Sequence, residues 1–287
     1  MKLGLLGLGN MGAALAKAFT KKGHEVVGWS RSEATRKIAA SFCDVRDTVD
    51  AVVTATDLII VCLPDYGSTV AACDAVEKSA WAGKTFVQLS SGSPEDARAT
   101  DRWAKERQLS FIDGAIATFP DRIGAPTTAI FFSGDRTAYD ACDTVLKALG
   151  GRNVFVSDAV TGAAALDLAW LSLYYGVSLG LLHGAAFCET EGVKPVAFFA
   201  AMPSFIPEIE HAAREYDEMI ARDDYRGDQA ALAVHVAAME HLASSAERTG
   251  LDTRFTDLLL SLYGEAVQKG DGEMEIAAGI KVIRNTR

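Results

Sequence analysis

Cysteines at metal-ligand spacing are missing from this 287-residue chain. Its five cysteines stand at 43, 62, 73, 142 and 188, with no C-x-x-C and no Cys/His cluster. That argues against a disulfide scaffold and against a bound metal, and free thiols suit a cytoplasmic setting. Basic residues are also scarce. Lys and Arg total 28 against 38 for Asp and Glu, a formal charge of −10. Nucleic acid and anionic membrane are therefore not expected partners, although a local basic pocket for a phosphate remains possible. The most apolar segment, LAWLSLYYGVSLGLL at 168–182, is short for a bilayer, and extending it takes in Asp167 and His183. It is expected to be a helix buried at a domain or dimer interface. The apolar opening MKLGLLGLGNMG is interrupted by Gly9, Asn10 and Gly12, so it reads as a first strand and not as a signal peptide. Hydrophobic residues nevertheless make up 49% of the chain and charged residues 23%, enough for one large core or two medium ones.

The first half alternates strands with helices. Strands are expected at 2–6, 25–29, within 57–63, and at 85–89, 110–116, 127–132 and 153–156. Helices are expected at 11–21, 69–80, 94–107 and 135–149. Pro94 opens one of them, with Glu95 and Asp96 in its first turn. This is a doubly wound α/β pattern. From about 158 the chain becomes Ala- and Leu-rich without β alternation. Helices are expected at 161–189, 196–201, 204–222, 228–249, 254–268 and 273–283. The domains are accordingly read as a dinucleotide-binding domain over 1–158 and a helical domain over 159–287 that begins with the long 161–189 helix.

Gly7-Leu8-Gly9-Asn10-Met11-Gly12 is a G-x-G-x-x-G run that leaves a strand and opens a helix, the context that makes it a dinucleotide fingerprint. Gly7 permits the turn, Gly9 admits the diphosphate, and Gly12 lets helix and strand approach. The second strand ends in Trp29-Ser30-Arg31-Ser32, with no acid until Glu33. A carboxylate at that point would bind a ribose 2′-hydroxyl; an arginine flanked by hydroxyls suits a 2′-phosphate. Arg36 lies about one turn on, and NADPH is the expected cofactor. Leu63-Pro64 and Ser91 end later strands, where open sheets bind ligands. They are candidates for the ribose and diphosphate side and for the nicotinamide ribose, respectively, and capping is the alternative for Ser91 and Ser93.

Lys and Arg are absent from Asn153 to Val193. Between Asp158 and Glu189 the only residue charged by default is Asp167. A carboxylate in such a helix is hydrogen-bonded, protonated, hydrated or matched to a cation. Tyr174 and Tyr175 follow at about 10 and 12 Å along a helix axis, with Tyr174 nearer the same face by angle. Dehydrogenation of an alcohol would call for a base, often Lys or His, to take the hydroxyl proton; no Lys stands on this helix, and His183 lies about 24 Å from Asp167 along the axis. An anion at Asp167 suits an iminium and repels a carboxylate, which favours reduction of C=N.

The run GLGNMG with KKGHEVVGWSRS at 21–32 resembles the 3-hydroxyisobutyrate dehydrogenase superfamily. Within it, LSSGSP at 89–94, FIDGAI at 111–116 with Pro120, Ile123 and Gly124, and LDLA at 166–169 with Tyr174-Tyr175-Gly176 resemble the imine reductase and reductive aminase family. The resemblance spans residues 1 to about 190. It implies a Rossmann-type NADP-binding domain, a long interdomain helix and an all-helical C-terminal domain. It implies an NADPH-dependent imine reductase acting on small, cyclic imines, and a homodimer with interlocked C-terminal helices. Asp167 takes the place of the hydroxyacid dehydrogenases' lysine, and the family's second tyrosine falls on Tyr175. Ser91 stands where reductive aminases often carry Asn, so the resemblance leaves ketone–amine condensation open. Met202, Phe205, Met239 and His241 are further candidates for the substrate side. The competing readings are a β-hydroxyacid or alcohol dehydrogenase working without the usual lysine, and a non-catalytic NADP-binding protein.

Overall fold

The computed structural model describes residues 1–227 and 229–284. Their chain divides into two compact units, Met1–Leu173 and Tyr174–Arg287.

The first unit is built on an eight-stranded sheet. Its strands are β1 (Lys2–Leu6), β2 (Glu25–Trp29), β3 (Asp44–Val45), β4 (Leu58–Val61), β5 (Thr85–Gln88), β6 (Ser110–Ile116), β7 (Ala129–Gly134) and β8 (Arg152–Ser157). They lie in the order β3-β2-β1-β4-β5-β6-β7-β8, parallel throughout except for the antiparallel β6–β7 pair. The helices α1 (Asn10–Lys21), α2 (Glu33–Ala39), α3 (Val49–Ala55), α4 (Tyr66–Cys73), α5 (Pro94–Lys105) and α6 (Arg136–Leu146) connect them. Adjacent residues of one strand serve opposite faces. Leu5 and Ile60 join a core layer with Leu15, Phe19 and Phe132, while Leu6, Ile59 and Val61 join a second layer with Val52, Trp81 and Phe86. This two-sided burial explains why β4 reads as a continuous apolar run and not as an alternating one. Each fully buried Leu or Ile contributes about 1.5–3 kcal/mol of transfer free energy.

The helix α7 (Gly162–Thr190) runs from the first unit into the second, which continues with α8 (Pro195–Arg222), α9 (Leu232–Thr249), α10 (Arg254–Ala266) and the short α11 (Ile280–Ile283). Of α7, only Ala163 and Ala164 are buried, and no residue of α8 is buried among the described residues. By length and composition alone α7 could cross a membrane. The second unit's core is small: Tyr225, Ala277 and Ala278 form one cluster, and Leu232, Ala266 and Val282 another.

The expected α/β architecture with a long helix and a helical remainder is what the chain adopts. Several local expectations need correction. The two helices expected at 196–201 and 204–222 are one: Pro203 and Pro207 both lie inside α8. Each proline forfeits one amide donor, and the remaining bonds of a 28-residue helix carry it through. The helix expected at 69–80 starts earlier, because the Asp65 side chain accepts the Ser68 N–H and caps α4, and it ends at Cys73. The segment 273–283 is a 3-10 turn over 276–279 followed by α11, not one helix. The helix expected to start at 228 starts at Leu232; position 228 itself lies outside the described residues. The elements α2, β3 and α3 were not anticipated.

Candidate active site

β1 lies between β2 and β4, so the connections from its two neighbours leave in opposite directions at the carboxyl end of β1, the place where open sheets receive nucleotides. Gly7 stands there at φ +105°, donating its N–H to the Trp29 carbonyl at 2.8 Å. A Cβ on Gly7 would lie 2.1 Å from the Cys62 carbonyl oxygen, and one on Gly12 would lie 1.9 Å from the Gly7 carbonyl oxygen. Both glycines are therefore demanded by the protein's own packing. Gly9 differs: it is exposed, caps the N-terminus of α1, and among the described residues nothing lies within 4 Å of where its Cβ would be. The open space at Gly9, beside the exposed Asn10 and the free amides of a helix N-terminus, fits a diphosphate. Leu8 turns its side chain into the core, where it fills the space above Gly28, and Met11 is half-buried.

The loop after β2 is braced from within. The Arg36 guanidinium donates to the carbonyls of Ser30 (2.7 Å) and Arg31 (3.1 Å) and pairs with Asp47 at 3.5 Å. Ser32 caps α2 by accepting the Thr35 N–H, which leaves its hydroxyl hydrogen to donate elsewhere. Arg31 is exposed on the same loop. The fit to a 2′-phosphate is thus divided: Arg31, Ser30 and Ser32 face outward from a turn that Arg36 holds. At the next strand end, the Leu63 N–H is taken by the Ser90 hydroxyl at 3.0 Å, and Pro64 is exposed. Ser91 is exposed and forms a parallel bridge with Asp65. Its neighbour Ser93, not Ser91, closes the capping box of α5 with Asp96.

Asp167 is half-buried within the second turn of α7, in the first unit, and burial pushes its carboxyl above the usual range. It is not isolated. Asp113, on β6, is wholly buried, and its Oδ1 accepts the Tyr66 hydroxyl at 2.5 Å. Burial pushes Asp113 up to about 7; the hydrogen bond from Tyr66 and the amides of Ala164 and Gly114 oppose that rise, and the charge of Asp167 adds to it. The Asp113 Oδ2 atom has no hydrogen-bond partner among the described residues. Burial, the carboxyls of Asp113 and Asp167 and the more distant Asp96 all push the Tyr66 phenol upward. The acid read from the sequence as solitary thus has a second carboxyl and a phenol beside it, with no opposite charge acting on either carboxyl among the described residues. Asp113 was legible only as part of a motif, yet an aspartate between apolar residues in a parallel strand was itself a signal.

Tyr175, in the second unit, is 64% exposed, and its ring meets that of Tyr174 edge to face at 5.6 Å. Met202 and Phe205 line an apolar groove with Val177, Leu181, Phe198 and Ile206. Met239 is half-buried and His241 exposed on α9. In the first unit, Gly124 sits at φ +85° and donates to the Leu149 carbonyl, while Ile123 packs on the core. No group of three or more metal-ligating side chains occurs among the described residues.

Two family models match the chain: the NAD binding domain of 6-phosphogluconate dehydrogenase over 2–159, and the NADPH-dependent reductive aminase-like C-terminal domain over 160–285. An NADPH-dependent reductive aminase from Aspergillus oryzae is 28% identical over 98% of this chain and 97% of its own. An imine reductase from Myxococcus stipitatus, solved with NADP+, is 30% identical, with a TM-score of 0.92 over 99% of this chain and 100% of that one. An imine reductase from Aspergillus terreus, solved with NADPH4 and dibenz[c,e]azepine, is 30% identical, with a TM-score of 0.91 over 98% of each chain.

Proposed function

The chain belongs to the imine reductase and reductive aminase family, and from that premise we propose that it reduces C=N bonds of small, cyclic imines to amines with NADPH. Bound NADPH supplies hydride to the imine carbon. The turn from Gly7 to Gly12, with the free amides at the N-terminus of α1 beside Gly9, would hold its diphosphate. Ser30, Arg31 and Ser32 bind the 2′-phosphate on the turn braced by Arg36, and selectivity for NADPH follows from the absence of a carboxylate there. Leu63 and Pro64 border the adenosine ribose and diphosphate side, and Ser91 the nicotinamide ribose.

Asp167 is the group on which the reading turns. Its carboxyl sits half-buried on a helix without a single Lys or Arg. As a carboxylate it stabilises an iminium; as an acid it gives its proton to the nitrogen. The carboxylate form disfavours a hydroxyacid substrate, whose own carboxylate it would repel. Tyr175, on α7, is retained in the role that the family's second tyrosine implies.

A homodimer completes this reading. Val177, Leu181, Phe198, Met202, Phe205, Ile206 and Ile209 line a groove of about 540 Å³ within the second unit, and Leu179, Leu182 and Phe199 are exposed beside them. Apolar surface of this extent on two helices calls for a cover, and a second copy with interlocked helices supplies it. The test is NADPH oxidation with dibenz[c,e]azepine beside NADP+ reduction with 3-hydroxyisobutyrate, for wild type and Asp167→Ala. Imine-dependent turnover that falls at least about tenfold in the variant supports the reading. Hydroxyacid oxidation in place of imine reduction, or full activity in the variant, refutes it.

A further inference from the structure

Tyr66 ties three parts of the first unit together. Its ring, 4% exposed, lies against Gly92 of the loop after β5, so closely that a Cβ on Gly92 would come within 2.3 Å of it. The same ring packs on Ala97 of α5 and Ala164 of α7. Its hydroxyl donates to Asp113 on β6. Asp167 stands three residues beyond Ala164, a little under one helical turn. The Asp113 carboxyl, wholly buried, is therefore lodged beneath the first turns of the helix that presents Asp167, with one oxygen clamped by Tyr66. An ionised carboxylate so placed would be wholly buried next to another acid; a protonated one would not carry that charge.

We propose that Tyr66 and Asp113 are positioning residues for Asp167: Tyr66 clamps Asp113 under α7, and the two carboxyls hold a single proton between them while the enzyme works. The inference rests on the reading of Asp167 given above. The proton shared by the pair is the one that Asp167 presents to the substrate nitrogen, and its loss at high pH ends turnover. Coupled carboxyls release protons in steps that belong to the pair. The direction of the Asp113 shift agrees with this placement. The charged groups acting on the cluster are Asp167 from α7 and Asp96 from α5, both acidic.

The test follows kcat for dibenz[c,e]azepine at saturating NADPH from about pH 5 to about pH 9 in wild type, Asp113→Asn, Tyr66→Phe and Asp167→Ala. NADPH affinity and melting temperature are measured in parallel. Titration of the imine itself is common to all four proteins, so differences report the enzyme. Asn at 113 still accepts the Tyr66 hydroxyl but holds no proton for the pair, so the descending alkaline limb moves to lower pH by about one unit or more. Phe at 66 removes the bond that favours ionised Asp113, so the limb moves to higher pH. Opposite displacements support the proposal. Limbs that stay in place or move together overturn it, as does a pH-independent fall in kcat, which would mark a purely structural role. If Asp113→Asn does not fold, the Tyr66→Phe limb decides alone. Full turnover by Asp167→Ala would instead sink the reading of Asp167, whatever the limbs of the other variants do.

Discussion

Ile60 and Ile206 carry the same side chain into opposite circumstances. Ile60, on β4, is completely buried between sheet neighbours and α1, whereas Ile206, on α8, is 54% exposed. The contrast extends to their units. The first fills both faces of its sheet from its own residues, and its polar groups are placed with the same economy: Asp65, Ser93 and Asp135 each cap the helix they precede. The second exposes Phe199, Phe205, Ile206 and Ile209 along α8 and Leu179 and Leu182 along α7. A sheet closed by its own helices has its apolar faces covered; two long apolar helices with only small clusters around them are where the proposed second copy would act.

That contrast can be broken most sharply by paired truncations. Ile60→Ala is expected to cost about 2–5 kcal/mol in urea unfolding, independent of protein concentration. Ile206→Ala should change the monomer by no more than about 0.5 kcal/mol and act instead through the concentration dependence of melting. Equal, concentration-independent losses would mean that the two units are stabilised alike. Next in size, Phe205→Asp with Ile206→Asp should convert a dimer in sedimentation velocity to a folded monomer. A wild type that sediments as a monomer would remove the proposed cover.

Smaller effects sharpen the account of the first unit. Arg31→Ala should raise KM for NADPH about tenfold relative to KM for NADH, equivalent to about 1.4 kcal/mol; an equal change for both cofactors would take Arg31 off the 2′-phosphate. Smallest is a pH effect on stability. The folded-state value of Asp113, raised to about 7, lies above its ordinary 3.8, so the native state holds the extra proton. That stabilising contribution is complete below the unfolded value and is lost as pH rises through the folded one. Urea midpoints should therefore fall from about pH 4 towards about pH 7, and Asp113→Asn should flatten the slope. An unchanged slope would place the buried proton elsewhere.

The two units also differed in how much of them could be read beforehand. β1, β2 and β6 are strongly apolar, and their expected limits are those observed. No element is expected from the sequence over 33–55, because α2 and α3 are only seven residues each and β3 only two, too short for periodicity to register. In the second unit, the break expected between 201 and 204 is absent, and Pro203 lies inside one long, exposed helix. At the candidate site, the glycine run and Asp167 were legible because each stands out locally, one by spacing and the other by the lack of neighbouring charge. The Tyr66–Asp113 pair was not, since 47 residues separate its members and only the fold brings them together.

The central claim is that the Asp167 carboxyl assists reduction of a C=N bond. Its most direct test is single-turnover hydride transfer from NADPH to dibenz[c,e]azepine, followed by the loss of NADPH absorbance in wild type and Asp167→Ala. The account predicts a rate constant at least about tenfold lower in the variant, with NADPH affinity retained. An undiminished rate constant in the variant would contradict it.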